Sequence, residues 1–290
     1  MNEADIESYK KSIQLMQHAL NNKIQEEEKR GFNVLDVRHH LAAWKGSTAS
    51  GTIFRTRLIS KERLDKMEGT VLISEFRYPP KSAAIGNKCN IPGQPIAYCA
   101  SDFLGAVTET IFSKGPEIKP NYHFFVSEWR IANVPVKVFN TSERIPNDDP
   151  RSPDERDLVN EYLQTLEKCF TNPQGYTFSS QFAQNILFGT SEKTIPHEYD
   201  IIAFPSIART QDQLRTKPGD DWNNYAIVPS CFDKYQFHRV YLMQTPTMEE
   251  VIKGDLRSFK FLLVGYPDPE YPGTVRWKRP DKSELPQIAS

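Results

Sequence analysis

The segment at 86–109, GNKCNIPGQPIAYCASDFLGAVTE, spaces three reactive polar side chains, Lys88, Tyr98 and Glu109, at nearly even intervals. A cation binds phosphate, and a phenol stacks on a ring or donates a hydrogen bond. A carboxylate grips sugar hydroxyls or steadies positive charge at a sugar carbon. The three together point to a nucleotide or nucleotide-sugar site. Pro92-Gly93 signals a turn, Ile96-Ala97-Tyr98 a short apolar run, and a helical pattern starts at Ser101. A turn, a strand and a helix would therefore each deliver one of the three.

The surrounding elements follow from the same kind of pattern. Ile6, Tyr9, Ile13, Met16, Leu20 and Ile24 recur at helical spacing over 4–30, ahead of an EEEKR run and Gly31. That apolar stripe suits packing on the main domain, or a dimer or regulator contact. Ile53-Phe54 opens a strand bearing Arg55 and Arg57, and Val71-Leu72-Ile73 predicts another before Pro79-Pro80. Residues 122–139 read as strands broken at Pro135, and 140–151 as a surface loop. Ser152-Pro153-Asp154-Glu155 is a helix start with a capping box, predicting a helix to about Phe170. A second helix is predicted over 180–188, stopping at Gly189. Tyr199–Phe204 reads as a buried strand that leaves Ser206 at its exit. After a polar loop at 211–224, strands are predicted near Tyr225–Val228 and Val240–Met243. The proline-rich tail beyond Pro246 reads as irregular apart from a strand near Phe259–Val264.

Composition narrows the partners. With 36 basic against 37 acidic residues, no broad electrostatic footprint for nucleic acid is expected. No apolar run reaches membrane-spanning length, so no membrane partner is expected. The acidic start MNEADIESYKK lacks the pattern of an export signal, which makes a cytoplasmic protein the expectation. Cys89, Cys99, Cys169 and Cys231 form no CxxC pair, and the adjacent His39 and His40 would not share a helical face, so no metal is expected. Neither GxGxxG nor GxxxxGK[ST] occurs, so a nucleotide would have to be held by side chains.

The ordered motifs resemble those of the RES-domain family, whose core pattern is close to GRxNxPGxPxxYxA, then a Glu in the next helix and later a strand ending in Ser. This chain has GNKCNIPGQPIAYCA at 86–100, Glu109, and YDIIAFPS at 199–206. IFRTR at 53–57, Pro79-Pro80 and NYAIVP at 224–229 are similar to further family segments. The resemblance spans 52–243, with a helical extension at 1–51 and a proline-rich one at 244–290. It implies an α+β fold with a mixed β core and flanking helices, like that of ADP-ribosyltransferases. It also implies a toxin-like enzyme that cleaves the nicotinamide–ribose bond of NAD as glycohydrolase or phosphorylase, with NAD as substrate, no metal, and an antitoxin protein as partner. A homo-oligomer, ADP-ribosyl transfer to a protein, and a catalytically silent NAD-binding module remain alternatives.

Within that resemblance Glu109, Tyr98 and Ser206 are the catalytic set, and Lys88, Arg55, Arg57 and Asn90 the NAD-binding set. Glu109 would stabilise charge on the ribose; its alternative is an exposed helix acid off the face of Leu104, Val107 and Ile111. Tyr98 would wall the nicotinamide pocket or contact a ribose or phosphate oxygen, the alternative being a core tyrosine. Arg55 would hold the pyrophosphate or fix Glu109, with Arg57 on the same strand face as substitute, against a plain surface salt bridge. Ser206 would bond the ribose or orient Glu109, rather than act as nucleophile, against a turn serine. Asn90, Gly93 and Pro95 shape the turn, with φ > 0 expected at Gly93. Lys88 departs from the family arginine: it keeps the charge but loses the planar two-pronged grip on phosphate. Weaker binding, takeover by Arg55 or Arg57, and a silent site are the outcomes open.

Overall fold

The computed structural model describes residues 1–21, 47–66, 70–114, 122–189, 199–206, 223–247, 249–250 and 259–286. Ten strands carry the fold: β1 (Ser47–Ser60), β2 (Val71–Leu72), β3 (Ala97–Ala100), β4 (Tyr122–Val136) and β5 (Val138–Asn140) come first. They are followed by β6 (Ile201–Pro205), β7 (Asn223–Ile227), β8 (Gln236–Gln244), β9 (Phe261–Pro267) and β10 (Thr274–Lys278). They form one sheet in the order β2-β10-β9-β8-β4-β1-β3-β7-β6-β5. Every pairing is antiparallel except β5 with β6. The chain is thus a mixed helix-and-strand protein built on a large, mostly antiparallel sheet. In the tail the strand expected near Phe259–Val264 forms as β9, and a further strand, β10, pairs with it and buries Val275 in the core.

β4 runs unbroken through Pro135, which pairs with Thr48, and the break comes after Val136. The reason is positional. β8 pairs with β4 only as far as Arg130, so at Pro135 the strand has β1 on one side and no ladder partner on the other, where a missing N–H costs nothing.

Helices pack against this sheet. Helix α1 (Glu3–Leu20) starts at Asn2, whose side chain accepts from the Asp5 N–H while Asp5 returns the bond. Its buried residues Tyr9, Ile13 and Met16 face α4 (Pro153–Thr171), with Tyr9 edge-on to Tyr162 at 5.2 Å between centroids. Each such side chain contributes about 1.5–3 kcal/mol by leaving water, which is enough to fix α1 to the body. The stripe therefore packs on the main domain as far as the described residues go; its continuation past Asn21 lies outside them. Between these helices in sequence come α2 (Lys61–Lys66) and α3 (Phe103–Lys114). The α4 capping box forms as its sequence predicts, with the Ser152 hydroxyl taking the Glu155 N–H at 3.3 Å. Helix α5 (Tyr176–Ala183) starts earlier than expected and continues as a π-helical turn, Gln184–Phe188, that stops at Gly189 with φ of 75°. A short α6 (Pro229–Phe232) precedes β8.

α3 packs Phe103, Leu104, Val107 and Ile111 against Phe124, Val126, Tyr241 and Met243 on one side of the sheet. A larger core holds α1, α4 and α5; there Phe170 stacks on Phe204 at 5.5 Å and Phe139 meets Phe182 at 5.0 Å. The feature that makes room for a site is the way two strands part. β1 pairs with β4 from Ser47 to Ser60, yet with β3 only at Phe54↔Ala100. Beyond that pair β1 and β3 diverge, and a cleft opens between them. Among the described residues no helix is long and apolar enough to cross a membrane.

Candidate active site

The cleft has a volume of about 700 Å³ and takes lining residues from β1, the 84–94 turn, β3, α3, the start of α5, β6 and β7. Lys88, Tyr98, Glu109, Arg55 and Arg57 all line it, although the first arginine, Arg55, lies 54 positions before the helix acid, Glu109, in sequence.

The turn comes first, because it presents the lysine. Asn87 and Asn90 exchange backbone hydrogen bonds of 2.8 and 3.2 Å, and Gly93, at φ of 84°, turns its N–H to the Ala84 carbonyl at 2.9 Å. The Asn90 side chain donates to the carbonyls of Ile85, Gln94 and Ile91 at 2.8, 2.9 and 3.2 Å and accepts from the Tyr98 hydroxyl at 2.8 Å. That hydroxyl also accepts from the Cys89 N–H at 2.9 Å. Asn90 is thus committed to the turn, is buried, and does not line the cleft. Tyr98 shows its ring to the cleft while its hydroxyl staples the turn to β3. Burial, with Cys89 adding to it, drives the Tyr98 pKa well above its ordinary value, so the hydroxyl stays protonated and a donor.

Held this way, Lys88 points inward. Its Nζ donates to Glu109 Oε1 at 2.7 Å, and the two side chains keep only 6% and 16% of their exposure, so the pair is largely dry. The ammonium also lies over the rings of Phe204 and Tyr176, at 5.1 and 5.6 Å from their centroids. Burial works against the charged form, but Glu109, then Tyr176, outweigh it, and the Lys88 pKa is raised. The second carboxylate oxygen, Oε2, accepts from Ser206 Oγ at 2.9 Å. Three residues from three distant segments therefore meet at one carboxylate: Lys88 from the turn, Glu109 from α3, and Ser206 from the exit of β6. Ser206 is buried, consistent with a role in orienting Glu109, and it is not the loose turn serine that its Pro-Ser context allowed.

The two arginines separate. Arg57 donates to the Glu75 carbonyl and reaches Glu75 Oε2 at 3.0 Å, where Arg63 also arrives at 3.3 Å. Arg55 has no carboxylate partner among the described residues. Its Nη1 makes a 3.5 Å contact with the Thr56 carbonyl, and its buried Nε has no acceptor. Burial is the largest influence on it and lowers its pKa, with Arg57 adding to this and Cys99 opposing it. A half-buried guanidinium with no counter-charge among the described residues is suited to an anion. The surface salt bridge considered for Arg55 does not form among the described residues.

Residues not singled out as site residues from the sequence complete the walls. Tyr176 follows a helix start with no polar periodicity, and Phe204 looked like strand core. Asn224 and Thr56 each hold a buried polar atom, Nδ2 and Oγ1, without a hydrogen-bond partner. A polar residue at the inward position of the strand NNYAI is the clue that sequence offered for Asn224. All four cysteines are free and buried. Cys99, on the cleft wall, has its thiol pushed up to about 12 by burial, with Arg55 only partly offsetting this, so it is no nucleophile at neutral pH. Among the described residues no cluster of His, Cys, Asp or Glu could hold a metal; His39 and His40 lie outside them, as do most of the 211–224 loop.

A comparison with protein families finds no match to this chain, and no curated protein matches it.

Proposed function

We propose that the cleft binds NAD and that the protein cleaves its nicotinamide–ribose bond, as the resemblance to RES-domain toxins implies. One observation carries this reading. A half-buried carboxylate, Glu109, is fixed through both oxygens by Lys88 and Ser206 in a cleft that also holds the guanidinium of Arg55, which has no carboxylate partner among the described residues.

The chemistry asks for that combination. Scission of the bond between ribose C1′ and the pyridinium nitrogen sends the bonding pair to the ring, which leaves as neutral nicotinamide, while positive charge develops on C1′ and the ribose oxygen. A carboxylate already oriented and water-poor stabilises that charge with little reorganisation, which is worth on the order of 10²-fold or more in rate. Water then bonds to C1′ and loses a proton to solvent, giving ADP-ribose; phosphate in its place gives the 1-phosphate. Arg55 is suited to the pyrophosphate, and the rings of Tyr98, Tyr176 and Phe204 to a flat aromatic group. Lys88, engaged with Glu109, acts here as an orienting cation and not as the phosphate grip of the family arginine.

The same ion pair favours one second reading, an NAD-binding module without turnover, because the lysine occupies the oxygen that a ribose hydroxyl would approach. Incubation of purified protein with NAD, at several phosphate concentrations, separates the two. Free nicotinamide from wild type and none from Glu109→Ala supports the enzyme. NAD binding without nicotinamide release supports the module, and neither binding nor release sinks both. Label transferred from NAD to a macromolecule would redirect the reading to ADP-ribosylation of a protein.

A further inference from the structure

Phe54, Ala100, Asn224 and Phe204 form one row across four strands, since β1 pairs Phe54 with Ala100, β3 pairs Ala100 with Asn224, and β7 pairs Asn224 with Phe204. Directly paired residues present their side chains to the same side of a sheet, and all four line the cleft. Asn224 is the polar member of this row, and it is 4% exposed. Its Nδ2 is a buried donor with no partner among the described residues. Buried amides normally find partners, so one without a partner in a residue that lines a cleft is an unfilled half of a hydrogen bond.

Its position relative to Glu109 decides what would fill it. Ser206 follows Phe204 by two residues, so it lies on the same side of β6, and its hydroxyl holds Glu109 at 2.9 Å. Asn224 is one strand over and one pleat back from Ser206. That is roughly 8 Å between Cβ positions from the standard strand spacing and rise. A six-membered ring with an acceptor at its rim bridges such a gap. Ala100 leaves room beside the amide, and Phe54 and Phe204 give it flat apolar walls.

We propose that Asn224 is a specificity-determining residue that donates from Nδ2 to the carboxamide oxygen of the nicotinamide ring, holding the leaving group while Glu109 faces the ribose. The inference rests on the NAD reading for its reaction, but its recognition element is an aromatic carboxamide and can be tested apart from turnover.

The test compares wild type with Asn224→Leu and Asn224→Ala on two substrates: NAD, and the analogue whose ring is unsubstituted pyridinium. Loss of the hydrogen bond should lower kcat/KM for NAD about 10–100-fold while changing the pyridinium analogue less than about threefold. Inhibition by added nicotinamide should weaken by a similar factor. Both variants remove a partnerless buried amide, so they should melt no lower than wild type, which separates lost recognition from lost folding. Equal losses on both substrates, or no loss on NAD, would overturn the assignment. If wild type releases no nicotinamide from NAD, the enzymatic reading fails and nicotinamide binding decides the inference alone. A melting shift by nicotinamide in wild type that Asn224→Leu abolishes supports it, and equal or absent shifts in both refute it.

Discussion

Replacing Glu109 by Gln tests both the architecture and the chemistry of the cleft. The substitution keeps the shape and the Ser206 contact but leaves the Lys88 ammonium, whose side chain is only 6% exposed, without a counter-charge. Breaking one partner of a buried pair costs about 3–5 kcal/mol, of which the Phe204 and Tyr176 rings return about 0.5–2 kcal/mol through their contacts with the cation. A net loss of about 1–4.5 kcal/mol is expected, equivalent to a fall in Tm of roughly 2–4 °C per kcal/mol for a large domain. Lys88→Met should cost a comparable amount, because it strands the carboxylate. The double variant should cost clearly less than the sum, by about 2 kcal/mol, since no buried charge is left unpaired. Urea unfolding of all four proteins measures the coupling, and nicotinamide release from NAD, measured well below each Tm, should fall on the order of 10²-fold in Glu109→Gln. Additive single costs would show that Lys88 and Glu109 do not act as a pair. Unchanged release would remove Glu109 from the chemistry.

Other expectations follow from the same geometry. Arg55→Met removes a half-buried cation with no carboxylate partner among the described residues. Stability should hold or rise by about 1 kcal/mol while the KM for NAD rises at least tenfold, and unchanged KM would show that Arg55 does not bind the substrate. Tyr98→Phe strips hydrogen bonds of 2.9 and 2.8 Å from Cys89 N and Asn90 Oδ1, so about 1–3 kcal/mol of stability should be lost, with looser protection of the Cys89 amide in hydrogen exchange. Glu284 accepts from Asp281 N, Lys278 and Tyr266 at 2.9, 2.6 and 2.6 Å, and these contacts, the backbone bond first, lower its pKa from 4.5 to about 2. A depressed carboxylate stabilises the fold above its unfolded value and stops doing so as pH falls through the folded one. Tm should therefore drop between about pH 4.5 and 2, and less steeply in Glu284→Gln.

What the sequence determined by itself is mostly local. The Ser152–Glu155 box, the positive φ at Gly93, the stop at Gly189 and the buried run ahead of Ser206 are set by hydrogen bonds and sterics within a few residues, and each forms where its residues indicate. Likewise Asn90 reads as a turn residue and is one, because its amide finds carbonyls only a few positions away. The trio at 86–109 is visible as chemistry because a turn, a strand and a helix follow one another at short range. The tertiary structure alone decided how the trio is wired. Lys88 turns to Glu109 because the Tyr98 hydroxyl pins its turn, and Ser206 arrives from 97 residues away because β6 ends beside α3. Arg55 and Arg57 look alike in sequence, and they separate because Glu75 sits within reach of the second and not of the first. Asn224 and Tyr176 join the cleft only because β1 and β3 share a single register pair and then part. Register and strand order are set by the burial of whole faces of the sheet, so no short window of sequence carries them.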